Sequence, residues 1–294
     1  MYNVCMKKKA GMVALVGRPN AGKSTLLNAL IGRKVSITSP KPQTTRFSIQ
    51  AVYEDERGQI LFFDTPGIFG KVEDTLAANI NLTAEETIRG SIDALVYVID
   101  HTRERSTEEN KIIGIVRKVK KPKILVINKS DVKHPSFIEQ YTFLDDEFDT
   151  IIRISAATHH NLNILIDNIF DIIPEGDPLV DTKGMIQPAI NLDSKTYISE
   201  IIREKVYLQT RAEIPYTITV VVDEIQERDN GIIYVKARIL TTSDRYKVML
   251  IGKGGRKVKE IGMYARKELQ VAADKKVFVD LTVETDPHWV ERML

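Results

Sequence analysis

Cysteine is almost missing from this chain: Cys5 is the single thiol among 294 residues. One cysteine excludes an intrachain disulfide framework and a cysteine-rich metal site, and it suits a reducing compartment. Histidine is scarce too, with five residues and no ligand spacing. His159 and His160 are adjacent, and side chains next to each other in sequence do not point at one metal. Long apolar runs are absent. None approaches the ~20 residues of a membrane span, and the basic Lys7-Lys8-Lys9 leads into no stretch of signal-peptide length, because Gly17 interrupts it. A soluble, cytoplasmic protein is expected. Charge of one sign is also missing locally. No acidic residue precedes Glu54, whereas from Arg245 to Lys276 ten Lys and Arg face three acidic residues. A net charge of +2 for the whole chain predicts no partner; these local biases say more. The basic stretch is either a solvated helix face or a surface for nucleic acid.

The length allows about two domains, and 43% hydrophobic residues suffice for two packed cores. From residue 12 to about 172, apolar runs alternate with helical patterns. Strands are expected near 12–16, 47–54, 59–63, 94–100, 123–127 and 150–154. Helices are expected near 23–32, 75–90, 107–120, 135–146 and 161–171. Such alternation predicts an α/β domain, a mostly parallel sheet with helices on both faces, whose ligands sit at the carboxyl ends of the strands. Asp55-Glu56-Arg57-Gly58 reads as a hairpin turn, which makes one edge of the sheet antiparallel.

Residues 17–24 read Gly17-Arg18-Pro19-Asn20-Ala21-Gly22-Lys23-Ser24, with Thr25 following, between an apolar strand and a helical pattern. That is a complete phosphate-binding loop in its required context. The glycines let backbone N–H groups face phosphate oxygens, Lys23 reaches the β- and γ-phosphates, and the Ser24 hydroxyl serves Mg²⁺. Asp64-Thr65-Pro66-Gly67 ends the next strand but one. Asp64 suits Mg²⁺, and the Gly67 N–H suits the γ-phosphate. Asn128-Lys129-Ser130-Asp131 follows a further strand. A carboxylate at Asp131 can accept the two adjacent donors of guanine, which adenine lacks. Asn128 can bond the base and neighbouring loops, and the Lys129 stem can cover the base plane. Ser155-Ala156-Ala157 closes the far side with a backbone N–H. One of these motifs alone says nucleoside triphosphate; the four in this order say GTP.

Between them, Ser39-Pro40-Lys41-Pro42-Gln43-Thr44-Thr45-Arg46 cannot be a regular helix. It reads as a switch loop supplying a second hydroxyl to Mg²⁺, Thr45 first and Thr44 second, with a plain polar loop as the alternative. Ile68 stands where a Gln would orient the attacking water, and it cannot do so. Asn20 is a candidate for holding K⁺ near the β- and γ-phosphates; its alternative role is fixing the loop by backbone hydrogen bonds.

Residues 174–195 contain three prolines and two glycines without periodicity and read as a linker between domains 1–173 and 196–294. The second unit follows an α-β-β-α-α-β order, starting with an amphipathic helix over Ile198–Val206. Ile251-Gly252-Lys253-Gly254-Gly255 falls between its second and third helices, inside the basic stretch. A Gly-x-x-Gly loop there clamps a single-stranded backbone in KH domains, with Lys253, Arg256, Lys257 and Lys259 supplying charge.

Together these motifs resemble the Era family of bacterial GTPases. The resemblance rests on Gly-Arg-Pro-Asn-Ala-Gly-Lys-Ser-Thr, Pro-Lys-Pro-Gln-Thr-Thr-Arg, Asp-Thr-Pro-Gly and Asn-Lys-Ser-Asp in the first unit. In the second it rests on Ser199-Glu200-Ile201-Ile202-Arg203-Glu204-Lys205 and on Ile251-Gly252-Lys253-Gly254-Gly255 with Ile261-Gly262. It implies a P-loop GTPase domain followed by a type II KH domain, slow Mg²⁺-dependent GTP hydrolysis and cycling between GTP and GDP. It also implies binding near the 3′ end of 16S ribosomal RNA during small-subunit assembly, a monomeric state, and some peripheral association with the inner membrane face. The sequence departs from the family pattern at His159, where a glycine is usual. It also ends soon after Trp289, which puts tail contacts in doubt.

Overall fold

The computed structural model describes residues 8–38, 49–65, 92–182, 193–210 and 213–293. The chain separates into two compact units, Met1–Asn191 and Leu192–Leu294.

In the first unit, β1 (Lys9–Val16), β2 (Ile49–Asp55), β3 (Gly58–Asp64), β4 (Ala94–Asp100), β5 (Lys123–Asn128) and β6 (Thr150–Arg153) form one sheet. Its order is β2-β3-β1-β4-β5-β6. The β2–β3 hairpin is antiparallel and all other pairs are parallel. Every residue of β4 is buried, as its unbroken apolar run requires of a strand covered on both faces. β2 is half polar and takes the edge. Around the sheet lie α1 (Lys23–Ile31), α2 (Thr107–Lys118) and α3 (Leu162–Ile172). α2 is set by its ends: the Ser106 side chain accepts from the Glu109 N–H, Glu108 and Glu109 occupy the first turn, and Arg117 and Lys118 the last.

The expected helix near 135–146 is instead a 3₁₀ segment, Ile138–Glu147. Its buried anchors are Tyr141 and Leu144, three residues apart as a 3₁₀ turn demands, and Asp145-Asp146-Glu147 at its end opposes an α-helical dipole. The expected helix near 75–90 lies outside the described residues. Part of the expected linker belongs to the sheet's surroundings. The Ala10 N–H donates to the Pro174 carbonyl and the Gly176 N–H to that of Lys8. The Gln59 amide exchanges two 2.9 Å hydrogen bonds with the Val180 backbone, and Thr182 donates to Glu54. At the other end, Ser194 and Lys195 already begin a helix.

Lys9 of the basic N-terminal triplet is likewise structural. It lies in β1, and its ammonium donates to the carbonyls of Phe170 (2.6 Å) and Asp171 (3.2 Å) at the end of α3, where the helix dipole favours a cation.

The second unit runs α4 (Ser194–Gln209), β7 (Ile218–Glu227), β8 (Ile233–Thr241), α5 (Asp244–Ile251), α6 (Arg256–Ala273) and β9 (Val277–Thr285). The sheet order is β7-β8-β9, with β7 antiparallel and β9 parallel to β8. α4 packs on β7 and α6. Its first turn is capped by the Asp193 carboxylate, which accepts from the N–H groups of Lys195 and Thr196. The helix is more deeply buried than an amphipathic pattern predicts, because Glu200, Arg203, Glu204 and Lys205 are buried together with Ile201, Ile202 and Val206. Arg203 pairs with Glu200, and Lys205 pairs with Glu204 and with Glu268 of α6.

Breaking a buried pair by removing one partner leaves the other charge desolvated. Arg203→Met is therefore expected to destabilise this unit by about 3 kcal/mol. Trp289 is the one tryptophan of the chain; it is buried and donates to the Thr217 carbonyl within the same unit. Its fluorescence in a urea titration reads the loss directly.

Candidate functional site

The phosphate-loop, Asp64, Asn128 and Ser155 motifs all fall at the carboxyl ends of β1, β3, β5 and β6. Gly17 cannot carry a side chain, since a Cβ would stand 2.3 Å from the Val98 carbonyl oxygen. At Gly22 the constraint is double. Its φ is +97°, and a Cβ would stand 2.2 Å from Nδ2 of Asn128. That Nδ2 donates to the Ala21 carbonyl (2.9 Å), while Oδ1 of Asn128 accepts from the Ala156 N–H (3.0 Å). One side chain thus ties the phosphate loop to the Ser155-Ala156 loop. Asn20 has a left-handed φ of 64°.

Lys23 is buried, and its ammonium donates to the carbonyls of Gly17 (2.8 Å) and Arg18 (3.2 Å). Burial lowers its pKa, and Asp64 and Glu109 oppose that shift. Asp64 is fully buried. Burial raises its pKa, against the pull of Lys23 and of the Ser24 and Ser36 hydroxyls. Both hydroxyls donate to Oδ2 at 2.7 Å, whereas Oδ1 is buried with no hydrogen-bond partner among the described residues. An unpaired carboxylate oxygen beside a serine hydroxyl fits a hydrated Mg²⁺, whose charge relieves the desolvation of both groups.

Arg18 does not face this space with its side chain. Its guanidinium is buried, 3.1 Å from Glu109 of α2, and donates to the carbonyls of Asp100, Arg103 and Glu104. Glu109 also accepts from the hydroxyls of Tyr97 and Tyr141. Inclusion of Arg18 among nucleotide-binding residues therefore reduces to its backbone. Thr65 is similar: its hydroxyl is buried on the Leu15 carbonyl at 2.7 Å. Pro19 accepts at its carbonyl from Arg103. Thr25 lies in the first turn of α1.

In the base motif, Lys129 has φ 67° and its ammonium is held by Asp100 at 2.6 Å. Burial pushes the Asp100 pKa up, but hydrogen bonds from Lys129 and Thr102 hold it below the usual carboxylate range. The ring of His101 meets the Lys129 carbonyl and the Ser136 hydroxyl, each at 3.0 Å. Ser130 donates from its N–H to the Ile154 carbonyl. Asp131 is exposed, and none of the described residues donates to its carboxylate. Ser155 is buried and paired with His160, and its hydroxyl accepts from the Thr158 N–H; Ala157 is exposed. His159 takes a left-handed φ of 59°, which is how a residue other than glycine completes this turn. Thr44, Thr45, Pro66, Gly67 and Ile68 lie outside the described residues.

In the second unit, Gly252, Gly254 and Gly255 all have positive φ, at 70°, 61° and 76°. A Cβ on Gly252 would stand 2.8 Å from that of Lys257, so this turn between α5 and α6 requires glycine. Ile251 and Lys257 are half-buried, and Lys253, Arg256 and Lys259 are exposed around it.

The two units thus define a P-loop GTPase domain joined to a C-terminal KH domain. Residues 12–129 match the family described as a 50S ribosome-binding GTPase, and residues 213–290 match a KH domain. GTPase Era of Halothermothrix orenii is 37% identical over 98% of this chain and 96% of its own length. GTPase Era of Trichlorobacter lovleyi is 39% identical over 97% and 95%. The crystal structure of an Aquifex aeolicus Era variant bound to GDP and AlF₄⁻ superimposes with a TM-score of 0.89 at 36% identity, covering 97% of this chain and 96% of that one. An Era structure in complex with MgGDPNP and nucleotides 1506–1542 of 16S ribosomal RNA gives the same values. The chain belongs to the Era family of GTPases.

Proposed function

We propose that the first unit binds GTP and Mg²⁺ at these loops and hydrolyses the nucleotide. We propose further that the KH unit binds the 3′-terminal segment of 16S ribosomal RNA during small-subunit assembly. The observation that supports the nucleotide reading is the Asp64 carboxylate, bonded through one oxygen to Ser24 and, among the described residues, unpaired at the other. Lys23 would meet the β- and γ-phosphates, Ser24, Asp64 and Thr45 the metal, and the Gly67 N–H the γ-phosphate. Mg²⁺ supplies charge for the phosphoryl oxygens. Asn20 is the proposed K⁺ ligand, and faster hydrolysis in K⁺ than in Na⁺ at equal ionic strength, lost in Asn20→Ala, is the expected outcome. Equal rates return Asn20 to fixing the loop.

Asp131 is the proposed guanine acceptor. Asp131→Asn is expected to weaken GTP binding about tenfold or more, since donors of the base lose their acceptor, and to admit xanthine nucleotides. Competition binding measures both.

Domain boundaries at 1–173 and 196–294 are part of this reading, and the hydrogen bonds of 174–182 attach the start of the connection to the nucleotide unit. Among the described residues no helix is long and apolar enough to cross a membrane. Peripheral membrane association and a monomeric state rest on the family resemblance alone.

A structural-ligand role for GTP, with hydrolysis incidental, is distinguished by measuring RNA affinity with GTP, GDP and no nucleotide. For the RNA surface, Lys253→Asp with Gly254→Asp is expected to lower single-stranded RNA affinity roughly tenfold or more and to flatten its salt dependence, because backbone phosphates carry most of that affinity. GTP binding is expected to stay unchanged. Unaltered RNA affinity would make the second unit a protein-interaction module.

A further inference from the structure

Ser36 belongs to none of the sequence motifs, yet it is 1% exposed and touches the centre of the site. Its hydroxyl donates to Oδ2 of Asp64 at 2.7 Å, the same oxygen that accepts from Ser24. Its backbone is gripped by Asn28 on α1. Nδ2 of Asn28 donates to the Ser36 carbonyl (2.7 Å), and Oδ1 accepts from the N–H groups of Ser36 (2.9 Å) and Val35 (2.8 Å). Two hydrogen bonds of one side chain hold Ser36 and a third holds Val35, and Ser36 lies three positions before Ser39, where the proposed switch loop begins.

We propose that Ser36 is a positioning residue for the Mg²⁺ site. It holds the Asp64 carboxylate by Oδ2 so that Oδ1 is the oxygen left to meet the hydrated metal. A carboxylate rotates about its terminal torsion, and one hydrogen bond from Ser24 leaves that rotation soft. A second donor on the same oxygen, anchored from a different direction by Asn28, fixes it. Ser24 cannot supply this second bond, because its hydroxyl has one proton, already given to Oδ2. The Asn28–Ser36 clip also joins α1, which carries Lys23 and Ser24, to the strand end that carries Asp64. The metal's protein partners therefore share one frame, and the chain leaves that frame directly into the switch segment.

This inference rests on the Mg²⁺ reading of Ser24 and Asp64, and the two are tested apart. Mn²⁺ binding to the GDP complex of the full chain is followed by the electron paramagnetic resonance signal of free Mn²⁺. GDP affinity is measured separately in EDTA. Ser36→Ala is expected to raise the Mn²⁺ dissociation constant about tenfold, the scale of one lost hydrogen bond to a charged group. Metal-free GDP affinity is expected to change less than about twofold. Unchanged Mn²⁺ affinity overturns the proposal. So does a matching loss of metal-free GDP affinity and thermal stability, which makes Ser36 a packing residue. If Ser36→Ala does not fold, Ser36→Cys keeps a weaker donor at similar volume; a smaller loss of Mn²⁺ affinity supports the proposal and none overturns it. Ser24→Ala and Asp64→Asn serve as references. If they abolish Mn²⁺ binding and Ser36→Ala does not affect it, this inference alone fails. If they too leave it intact, the Mg²⁺ reading fails with it.

Discussion

A buried ammonium and a buried carboxylate share the carboxyl edge of the first sheet, and most of the surrounding structure is shaped by the need to keep them charged. Lys23 and Asp64 are both removed from water, and burial drives each toward its neutral form. Their mutual attraction opposes this, but a buried pair survives only when its remaining donors and acceptors are also satisfied. The loop carbonyls of Gly17 and Arg18 accept from Lys23, and two serine hydroxyls donate to Asp64. Beneath them a second pair, Arg18 and Glu109, is buried with two tyrosine hydroxyls on the glutamate. Glu109 also raises the Lys23 pKa across the gap. Through Arg18 the phosphate loop is tied to Glu109 of α2, which Tyr97 of β4 and Tyr141 of the 3₁₀ segment also hold, so the loop's seat is made by residues distant in sequence.

That distance explains what the sequence revealed and what it hid. The four GTP motifs were legible because their chemistry is local. A glycine that must have positive φ, or a carboxylate at a strand end, announces itself within a few residues. The strand positions and the mostly parallel sheet followed from the alternation of apolar runs, and Asp55–Gly58 marked the antiparallel edge. The side-chain partner of Arg18 was hidden, because nothing in the neighbouring letters names Glu109. Ser36 was invisible for the same reason: its meaning comes from Asp64 and Asn28, which the fold brings to it. The 3₁₀ segment was misjudged because spacing of three and spacing of four look alike in a short stretch with two anchors.

The second unit divides in the same way. Its loop was readable from Gly252, Gly254 and Gly255, and their left-handed conformations show why each is glycine. The helix α4 was legible as an element, but the burial of its charged residues was not. Its charged residues suggested an exposed face, but Glu200, Arg203, Glu204 and Lys205 form a buried ionic layer on α4, tied to α6 through the pair of Lys205 with the half-buried Glu268. Ion pairs in such a place add little net stability over apolar packing, yet they penalise any shift that would unpair a charge. The layer can thus fix the register of α6, whose first turn carries Arg256, Lys257 and Lys259 beside the Gly-x-x-Gly loop.

The base-recognition loop applies the same logic to specificity. Lys129 stands in the motif next to a proposed base site, where a mobile ammonium would compete with the base for the Asp131 carboxylate. Asp100, at the end of β4, holds that ammonium at 2.6 Å and is itself held by Thr102. With its charge tethered, Lys129 offers only its aliphatic stem to a flat ring. Among the described residues nothing donates to Asp131. In the proposed reading, discrimination between guanine and adenine depends on the Asp131 carboxylate, and Asp100 keeps the ammonium of Lys129 away from it.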